Sequence, residues 1–491
     1  MSSALTTDVS KIKKIPRYSI MANFFQVSNK KSVKAQEKKK LTVNIERLDS
    51  NGCGVAFYQS KPVFIHGSLP NENVDIKIVE QKHKYALAKL LTINKPSQHR
   101  VTAKCQHFTL CGGCDIQHLE YSQQLDFKKN KIISLFSRAG IVDNIVAELP
   151  WENPIVSSPW EYRRKARIGV QFDKNAQATI GFRQKSTNQL VAVKSCPVLV
   201  EPATDIFPLL KTLINKLSVK KAIGHIEVIS PEDLDDNELA TVDIHNTNKP
   251  LKKLTLIIRQ IRAINEHDHQ LWQEYAENNC WDIYFQTNGN NTKRITKSSL
   301  ELASSLHYRL VNDIQINFSS TDFIQINQQV NVAMVEQALD WLSPQKNDTI
   351  LDLFCGLGNF SLPLAQQAKQ VIGVEGVQSM VDKASANAKC NHIDNCHFYQ
   401  ADLNSEWLSN TWAQHEFSKV LLDPARAGAE FAVKQVAELN ITTILYVSCD
   451  PTTLARDCQI LISKGYKIER IGLIDMFSQT KHVETMVLFS R

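Results

Sequence analysis

The last third of the chain alternates short apolar runs with segments of helical spacing, and this pattern limits the fold more than any other feature. Apolar runs separated by amphipathic segments are typical of parallel strands joined by crossover helices. They predict an open, doubly wound α/β sheet with Rossmann-like topology. The predicted elements are a helix over 332–342, strands over 349–354, 371–374, 420–422 and 444–447, and two closing strands over 466–474 and 483–489.

The carboxyl ends of such strands converge on one crevice, where open α/β sheets bind nucleotide-like ligands. Residues 352–359 (DLFCGLGN) carry two glycines but neither the third glycine of a dinucleotide fingerprint nor the lysine of a P-loop. Two glycines still let the backbone approach a bulky ligand closely. Glu375 ends the next strand, at the spacing of a carboxylate that binds ribose hydroxyls. This pattern favours S-adenosylmethionine over NAD.

Further strand ends bring reactive groups to the same crevice. Asp423 follows one strand, Cys449 follows the next, and Glu484 stands at the start of the last strand. Carbon 5 of a pyrimidine becomes nucleophilic when a thiolate adds to carbon 6, and a base must later remove the carbon 5 proton. Cys449 is a candidate nucleophile, and Glu484 is a candidate base whose basicity burial would raise. A buried structural thiol and a surface carboxylate are the alternatives.

The cysteines predict a second site. Eleven cysteines in a chain with no recognisable secretion signal are expected to be thiols or metal ligands, in a cytoplasmic protein. No apolar stretch approaches the ~20 residues of a membrane span. Cys105, Cys111 and Cys114 form one block, and Cys196, followed by proline, lies further along. Four thiolates suit either structural zinc or a [4Fe-4S] cluster.

The N-terminal part of the chain has features of nucleic-acid binding. Residues 41–93 alternate apolar and polar positions between glycine and proline turns, which predicts a small β-barrel of the oligonucleotide-binding type. Residues 1–40 carry ten Lys/Arg against two acidic side chains, a net of +8 in a chain whose total is +7. Such an arm is typical of an electrostatic anchor for nucleic acid, although a solvated tail has the same composition. Residues 160–167 (WEYRRKAR) suit unstacked RNA bases or a solvated strand face.

Taken together, these motifs resemble the RNA uracil-5-methyltransferase family, and within it the iron–sulfur branch that methylates uridine 1939 of 23S rRNA in standard rRNA numbering. The resemblance runs from residue 33 to the end of the chain. The related tRNA enzyme lacks both the barrel and the cysteine cluster, and a sister rRNA enzyme lacks the barrel. The segments that carry the resemblance are 323–327 (FIQIN), 351–359 (LDLFCGLGN), 422–426 (LDPAR), 446–451 (YVSCDP) and 482–485 (HVET).

The resemblance implies roles for particular residues, with Cys449 as the nucleophile and Glu484 as the base that abstracts the proton. The residues implied to line the S-adenosylmethionine site are Gln325, Phe354, Asn359, Glu375, Asp402 and Asp423. Those implied to hold a [4Fe-4S] cluster are Cys105, Cys111, Cys114 and Cys196. Asp450 stands where relatives usually carry Asn, and Asp402 where an amide is also found, which leaves the contacts at these two positions open.

The resemblance also implies a domain order and a partner. A flexible basic arm (1–32) precedes a TRAM RNA-binding barrel (33–93), a central α+β domain with the cluster and an RNA-binding surface (94–322), and the methyltransferase domain (323–491). The expected substrate is 23S rRNA, the expected state is a monomer, and the cluster is expected to brace the fold and contact RNA.

Several alternatives stay open at this point. A dual-site rRNA enzyme would have similar domains, and the same chemistry could act on another rRNA or tRNA uridine. A radical S-adenosylmethionine methylthiotransferase needs an x3, x2 cysteine triplet, whereas this chain has x5, x2. An RNA-binding protein that merely stores a cluster would be indifferent to the loss of Cys449.

Overall fold

Three large sheets and one two-stranded hairpin organise the chain. The computed structural model describes residues 40–141, 149–231, 253–287, 291–296 and 306–491. The predicted basic arm lies outside the described residues. Within these ranges, no helix combines the length and apolar character needed to cross a membrane.

The first sheet is a small barrel with an apolar core of its own. The chain passes through Ile45 without leaving the sheet. Residues 40–44, before Ile45, pair with the strand over 73–81, and residues 47–48, after it, pair with the strand over 54–58, which closes the sheet on itself. Val74 and Ile76 fill the interior, and the predicted barrel is confirmed. The strands, which pair in the order β1-β5-β6-β4-β3-β2, are β1 (Lys40–Asn44), β2 (Arg47–Leu48), β3 (Gly54–Tyr58), β4 (Lys61–Ile65), β5 (Asn73–Gln81) and β6 (Ala86–Lys95).

The cysteine-bearing segment that follows the barrel leads into helix α1 (Tyr121–Arg138). Ile132 and Phe136 are fully buried and belong to the apolar core of the C-terminal sheet. The segment after α1 joins that sheet as well, because Trp151 and Ile155 form bridges with its edge strand. Helix α1 therefore packs with the C-terminal domain.

The central domain is a mixed seven-stranded sheet covered by two helices. Among the described strand pairs of this sheet, the strands over 254–260 and 281–286 are parallel to each other, and all other pairs are antiparallel. The helices bury Phe207 and Trp272 against the sheet. The elements are β7 (Lys165–Phe172), β8 (Ala178–Arg183), β9 (Leu190–Ala192), α2 (Ile206–Lys216), β10 (Ile223–Ile229), β11 (Leu254–Gln260), α3 (Glu266–Asn279), β12 (Trp281–Gln286), β13 (Thr292–Arg294), and the hairpin strands β14 (Leu306–Arg309) and β15 (Gln315–Phe318).

The C-terminal domain is a seven-stranded sheet in the order β18-β17-β16-β19-β20-β22-β21. Strands β16 to β20 are parallel, and β22 runs antiparallel to both its neighbours. The strand order reverses between β16 and β19, which opens a crevice at their carboxyl ends. This confirms the predicted Rossmann-like fold. The elements are α4 (Gln328–Leu342), β16 (Thr349–Leu353), α5 (Ser361–Ala365), β17 (Gln370–Glu375), α6 (Gln378–Cys390), β18 (Cys396–Gln400), β19 (Lys419–Leu422), α7 (Glu430–Val436), β20 (Thr443–Ser448), α8 (Pro451–Ser463), β21 (Lys467–Ile474) and β22 (Glu484–Ser490).

Candidate active site

The glycine-rich turn after β16 forms an open cradle at the crevice. Phe354 has a φ of 66°, Gly356 of 55° and Gly358 of 91°, and a left-handed backbone at a bulky residue such as Phe354 is strained. The turn is fixed because the N–H of Phe354 donates to the carbonyl of Val374 at 2.8 Å. A Cβ built on Gly356 would meet no atom within 4 Å. The backbone therefore borders free space that a ligand can approach.

Two carboxylates border this turn. Glu375 accepts hydrogen bonds from the N–H groups of Gly356 and Val377, each at 3.2 Å. Asp352 is fully buried beneath the turn, and Ser361 Oγ donates to its Oδ2, whereas Oδ1 has no partner among the described residues. Burial raises the pKa of Asp352 to about 7, although the Ser361 hydrogen bond opposes the shift. Asp352 begins the DLFCGLGN segment, but the sequence alone indicates no role for it.

Gln325 and Asp402 lie on two other segments. Gln325 is half-buried, and its carbonyl accepts a hydrogen bond from Arg164 Nε at 2.8 Å. Asp402 is exposed just after β18, where the N–H of Ala401 donates to the carbonyl of Glu375 at 3.1 Å. Asp402 thus lies next to the end of β17.

Asn359 has a packing role in this structure. Its Oδ1 accepts hydrogen bonds from the Tyr308 hydroxyl at 3.0 Å and from Asn331 Nδ2 at 3.1 Å. Its own Nδ2 donates to Asn331 Oδ1 at 3.0 Å. These bonds connect the start of α5 to α4 and to the β14–β15 hairpin.

Cys449 lies between the end of β20 and the start of α8. Asp450 caps this helix, because its Oδ1 accepts a hydrogen bond from the N–H of Thr452 at 2.8 Å. The Cys449 side chain is half-buried. Burial raises the pKa of its thiol to about 12, and the carboxylates of Glu484 and Asp423 add to this shift. In the structure without ligands, the nucleophile candidate is therefore a protonated thiol at neutral pH.

Glu484 lies beside Cys449 because of the register between β20 and β22. Ser448 pairs with Thr485, so Cys449 and Glu484 occupy the next opposed positions. Glu484 is 4% exposed. Burial raises its pKa to about 8, Asp423 adds to the shift, and the cations Arg426 and Lys128 oppose it.

Asp423 completes the group from the end of β19. Its N–H donates to the carbonyl of Leu353 at 3.3 Å, which holds it next to the glycine-rich turn. Burial raises the pKa of Asp423 to about 7. Arg426 follows in the same loop and opposes the pKa shifts of both Cys449 and Glu484. Arg426 belongs to the LDPAR segment, which by itself indicates no role for this side chain, and its charge becomes informative only beside Cys449 and Glu484.

The four cysteines of the second site are neighbours in space. Burial, together with the nearby thiols of Cys105 and Cys111, raises the pKa of Cys114 to about 12 and that of Cys196 to about 11. The N–H of Gly113 points at Cys111 Sγ at 3.4 Å. No group of three or more His, Cys, Asp or Glu within the described ranges is arranged to hold a metal ion. The thiols and the N–H donor suit a thiolate-bound centre in their chemistry, and the [4Fe-4S] cluster stays a prediction.

Part of the basic segment 160–167 serves internal packing. Arg164 is buried, and its guanidinium lies 4.5 Å from the ring centre of Tyr308. Lys165 Nζ donates to the carbonyl of Asp322 at 2.7 Å. Arg164 therefore supports the segment of Gln325 from inside the protein, and of the two readings of this segment neither applies to Arg164 itself. Arg167 is exposed and pairs with Glu227.

Comparison with known proteins identifies the family of the chain. The family model described as tRNA (uracil-5-)-methyltransferase matches residues 120–491, and the TRAM domain model matches residues 34–91. The 23S rRNA (uracil(1939)-C(5))-methyltransferase RlmD of Colwellia psychrerythraea is 57% identical over 478 residues, which are 96% of this chain and 99% of that protein. The protein of the same name from Psychromonas ingrahamii is 41% identical over 96% of this chain and 100% of its own length.

A solved structure shares the fold. The tRNA (uracil-54, C5)-methyltransferase of Pyrococcus abyssi, in complex with S-adenosyl-L-homocysteine, aligns with a TM-score of 0.69 and 22% identity, over 91% of this chain and 100% of that one. The family model covers well over half of the chain, and the relatives match it almost from end to end. The chain belongs to the tRNA (uracil-5-)-methyltransferase family and carries a TRAM domain ahead of the region that the family model matches.

Proposed function

We propose that this enzyme transfers a methyl group from S-adenosylmethionine to carbon 5 of a uridine in 23S rRNA, at position 1939 in standard rRNA numbering. The observation that carries the proposal is the register of β20 and β22, which sets Cys449 beside Glu484, with Asp423 at the adjoining strand end. The choice of RNA rests on relatives of that name that align over 96% of the chain.

Cys449 starts the reaction as the nucleophile. Its Sγ forms a bond to carbon 6 of the uracil, and the π electrons of the carbon 5–carbon 6 double bond move to carbon 5, which becomes the nucleophile for methyl transfer. The thiol must first lose its proton to solvent water, and the carboxylates of Glu484 and Asp423 disfavour the resulting thiolate. When bound, S-adenosylmethionine supplies the methyl group and a positive charge that opposes these carboxylates.

Glu484 completes the reaction as the base. After methyl transfer, its carboxylate accepts the proton of carbon 5, the electrons of that C–H bond re-form the double bond, and the Cys449–carbon 6 bond breaks with its electron pair on sulfur. A base for this step works best with a pKa near the operating pH. Burial of Glu484 raises its pKa to about 8, which is in that range.

The cradle after β16 is the proposed S-adenosylmethionine site. The open space above Gly356 and the unpaired Oδ1 of Asp352, which has no partner in the described part of the chain, support a polar ligand at this position. Glu375 is held by two backbone N–H groups, which orients its carboxylate for ribose hydroxyls. The residues proposed to line the site are Gln325, Phe354, Asn359, Glu375, Asp402 and Asp423.

The four neighbouring cysteines are the proposed ligands of a [4Fe-4S] cluster. Their mutual electrostatic influence and the N–H of Gly113 directed at Cys111 support a centre with thiolate ligands. Methyl transfer consumes no electrons, so we assign the cluster to bracing the segment and contacting RNA. Anaerobic purification followed by iron, sulfide and zinc analysis distinguishes the cluster from zinc, and a protein with stoichiometric zinc and no sulfide would contradict it.

The test of the function uses S-adenosylmethionine with a radiolabelled methyl group and unmodified 23S rRNA or tRNA as separate substrates. We expect label as 5-methyluridine at the single position 1939 of 23S rRNA. Cys449→Ser abolishes labelling, whereas the matched control Cys390→Ser, which changes an exposed thiol at the end of α6, keeps it. Label in tRNA alone would overturn the substrate, and label in neither RNA would overturn the function.

A further inference from the structure

A buried ion pair lies behind the proposed active site. Lys128 Nζ on α1 donates to Asp475 Oδ1, and neither side chain is exposed to solvent. The other oxygen of Asp475 accepts hydrogen bonds from the Tyr121 hydroxyl at 2.7 Å and from Ser478 Oγ at 2.6 Å. Lys128 Nζ also donates to the carbonyl of Phe477 at 3.0 Å. Both charges are thus paired, and each has further partners.

The pair fixes the loop that carries Glu484. Residues 475–483 connect β21 to β22, and Glu484, the first residue of β22, pairs with Ile474, the last residue of β21. Asp475 is the first residue of this loop, so it directly follows the residue that pairs with Glu484. Gln124, one turn before Lys128, donates to Gln479 Oε1 at 3.0 Å. Helix α1 thus holds this loop through side chains on two successive turns.

A second segment holds the same loop. The N–H groups of Asp115 and Ile116 donate to the carbonyl of Gln479 at 3.0 and 3.2 Å. The N–H of Lys481 donates to Asp115 Oδ2 at 3.1 Å. The loop is therefore clamped from outside its own sheet along most of its length.

Stability alone explains this pair poorly. Two buried charges lose their hydration, and apolar side chains of similar volume often give equal or better stability. A buried pair with well-defined hydrogen bonds instead fixes one arrangement of the groups around it. Here, the ion pair fixes loop 475–483, and the residue that directly follows this loop is Glu484.

We propose that Lys128 is a positioning residue for Glu484, which acts through Asp475 to hold loop 475–483 and supplies a positive charge behind the carboxylate. This inference rests on the proposed function, in which Glu484 removes the carbon 5 proton. Lys128 touches neither the RNA nor the reacting atoms in this role. Its loss is expected to affect the release of methylated RNA from Cys449 and to leave the preceding methyl transfer in place.

Charge supports the same role. The charged and titratable groups that act on Glu484 are Asp423 and Arg426 from the loop after β19, Cys449 from the end of β20, and Lys128 from α1. Lys128 lowers the pKa of Glu484, against the effect of burial. Its removal therefore raises this pKa further, and below that pKa the ionised fraction of a carboxyl group falls about tenfold for each unit of increase.

The test compares Lys128→Met with the double variant Lys128→Met/Asp475→Asn, which leaves no buried charge without a partner. The matched control is Lys129→Met, which removes the same charge from the next residue of α1, where Nζ lies 4.8 Å from the ring centre of Trp151. Each protein reacts in a single turnover with labelled S-adenosylmethionine and unmodified 23S rRNA. Total label measures methyl transfer, and label retained on protein in denaturing gels measures the covalent adduct.

We expect both Lys128 variants to transfer methyl groups within about twofold of the wild-type rate and to release the RNA more slowly at pH 7, by about tenfold for each unit by which the pKa of Glu484 rises, with accumulation of the adduct. Raising the pH restores release, and Lys129→Met behaves as the wild type. Wild-type release in both Lys128 variants, or equal loss of both steps in the folded double variant, would overturn the inference. If the wild type itself makes no 5-methyluridine, the proposed function fails instead.

Discussion

Replacing Glu484 by glutamine is expected to stabilise the folded protein, by an amount that grows with pH. Glu484 is 4% exposed, and burial raises its pKa from 4.5 to about 8. Below pH 4.5, the carboxyl group is protonated in both the folded and the unfolded chain. Between pH 4.5 and about 8, the unfolded chain releases this proton whereas the folded chain keeps it, so the stability of the wild type falls as the pH rises.

The size of the effect follows from the width of this window. Each pH unit inside it costs the wild type about 1.4 kcal/mol relative to a side chain that does not titrate. Between about pH 5.5 and about pH 7.5, the advantage of Glu484→Gln is therefore expected to grow by about 2.5 kcal/mol. For a domain of about 150–250 residues, a difference of about 2.5 kcal/mol in the free energy of unfolding corresponds to about 5–10 °C in melting temperature.

The assay is thermal unfolding of both proteins over a pH series. Glu430→Gln is the control, because Lys434 holds the pKa of Glu430 below its usual range and its loss brings no such gain above pH 5. We expect the difference between Glu484→Gln and wild type to rise across the window and to level off above about pH 8. A difference that stays constant from pH 5.5 to 7.5 would refute the reasoning, because Glu484 would then titrate alike in both states.

Three further predictions concern the reaction and the cluster. On uridine-containing RNA, Glu484→Gln is expected to transfer the methyl group and then stay linked to the RNA through Cys449, which denaturing gels of labelled RNA detect; rapid release would contradict the role of the base. Asp423→Asn is expected to lower the pKa of Cys449, because Asp423 raises it, so that iodoacetamide modifies the thiol at lower pH than in the wild type; an unchanged pH profile would contradict the coupling. Cys111→Ala is expected to lose bound iron and affinity for 23S rRNA while S-adenosylmethionine binding, followed by calorimetry, persists; unchanged RNA binding would contradict the role assigned to the cluster.

The sequence was sufficient for the parts of the fold in which apolar periodicity decides the structure. The predicted parallel strands β16, β17, β19 and β20 are almost entirely buried, and each predicted strand of the C-terminal sheet lies within a few residues of its predicted position. Strand β18 (Cys396–Gln400) was missed, because it is an edge strand whose side chains are mostly half-exposed or exposed and show no continuous apolar run. Edge strands leave a weaker signal than central ones.

The sequence could predict those residues of the candidate site that directly follow a parallel strand. Cys449 and Asp423 follow parallel strands, so the convergence rule of open sheets brings them together. Lys128 could not be found in this way, since its partner Asp475 is 347 residues further along the chain and no spacing rule links them. The burial of Arg164 could not be predicted for a related reason, because it depends on a contact with Gln325, 161 residues further along the chain.

The central claim is that Cys449 attacks carbon 6 of a uridine that is then methylated. RNA that carries 5-fluorouridine at the target position tests it most directly, because after methyl transfer carbon 5 has no proton for Glu484 to remove and the adduct persists. With S-adenosylmethionine present, we expect a stable protein–RNA adduct that mass spectrometry locates on Cys449 and that Cys449→Ser does not form. Full methylation of uridine RNA by Cys449→Ser, or an adduct on another residue, would contradict the account.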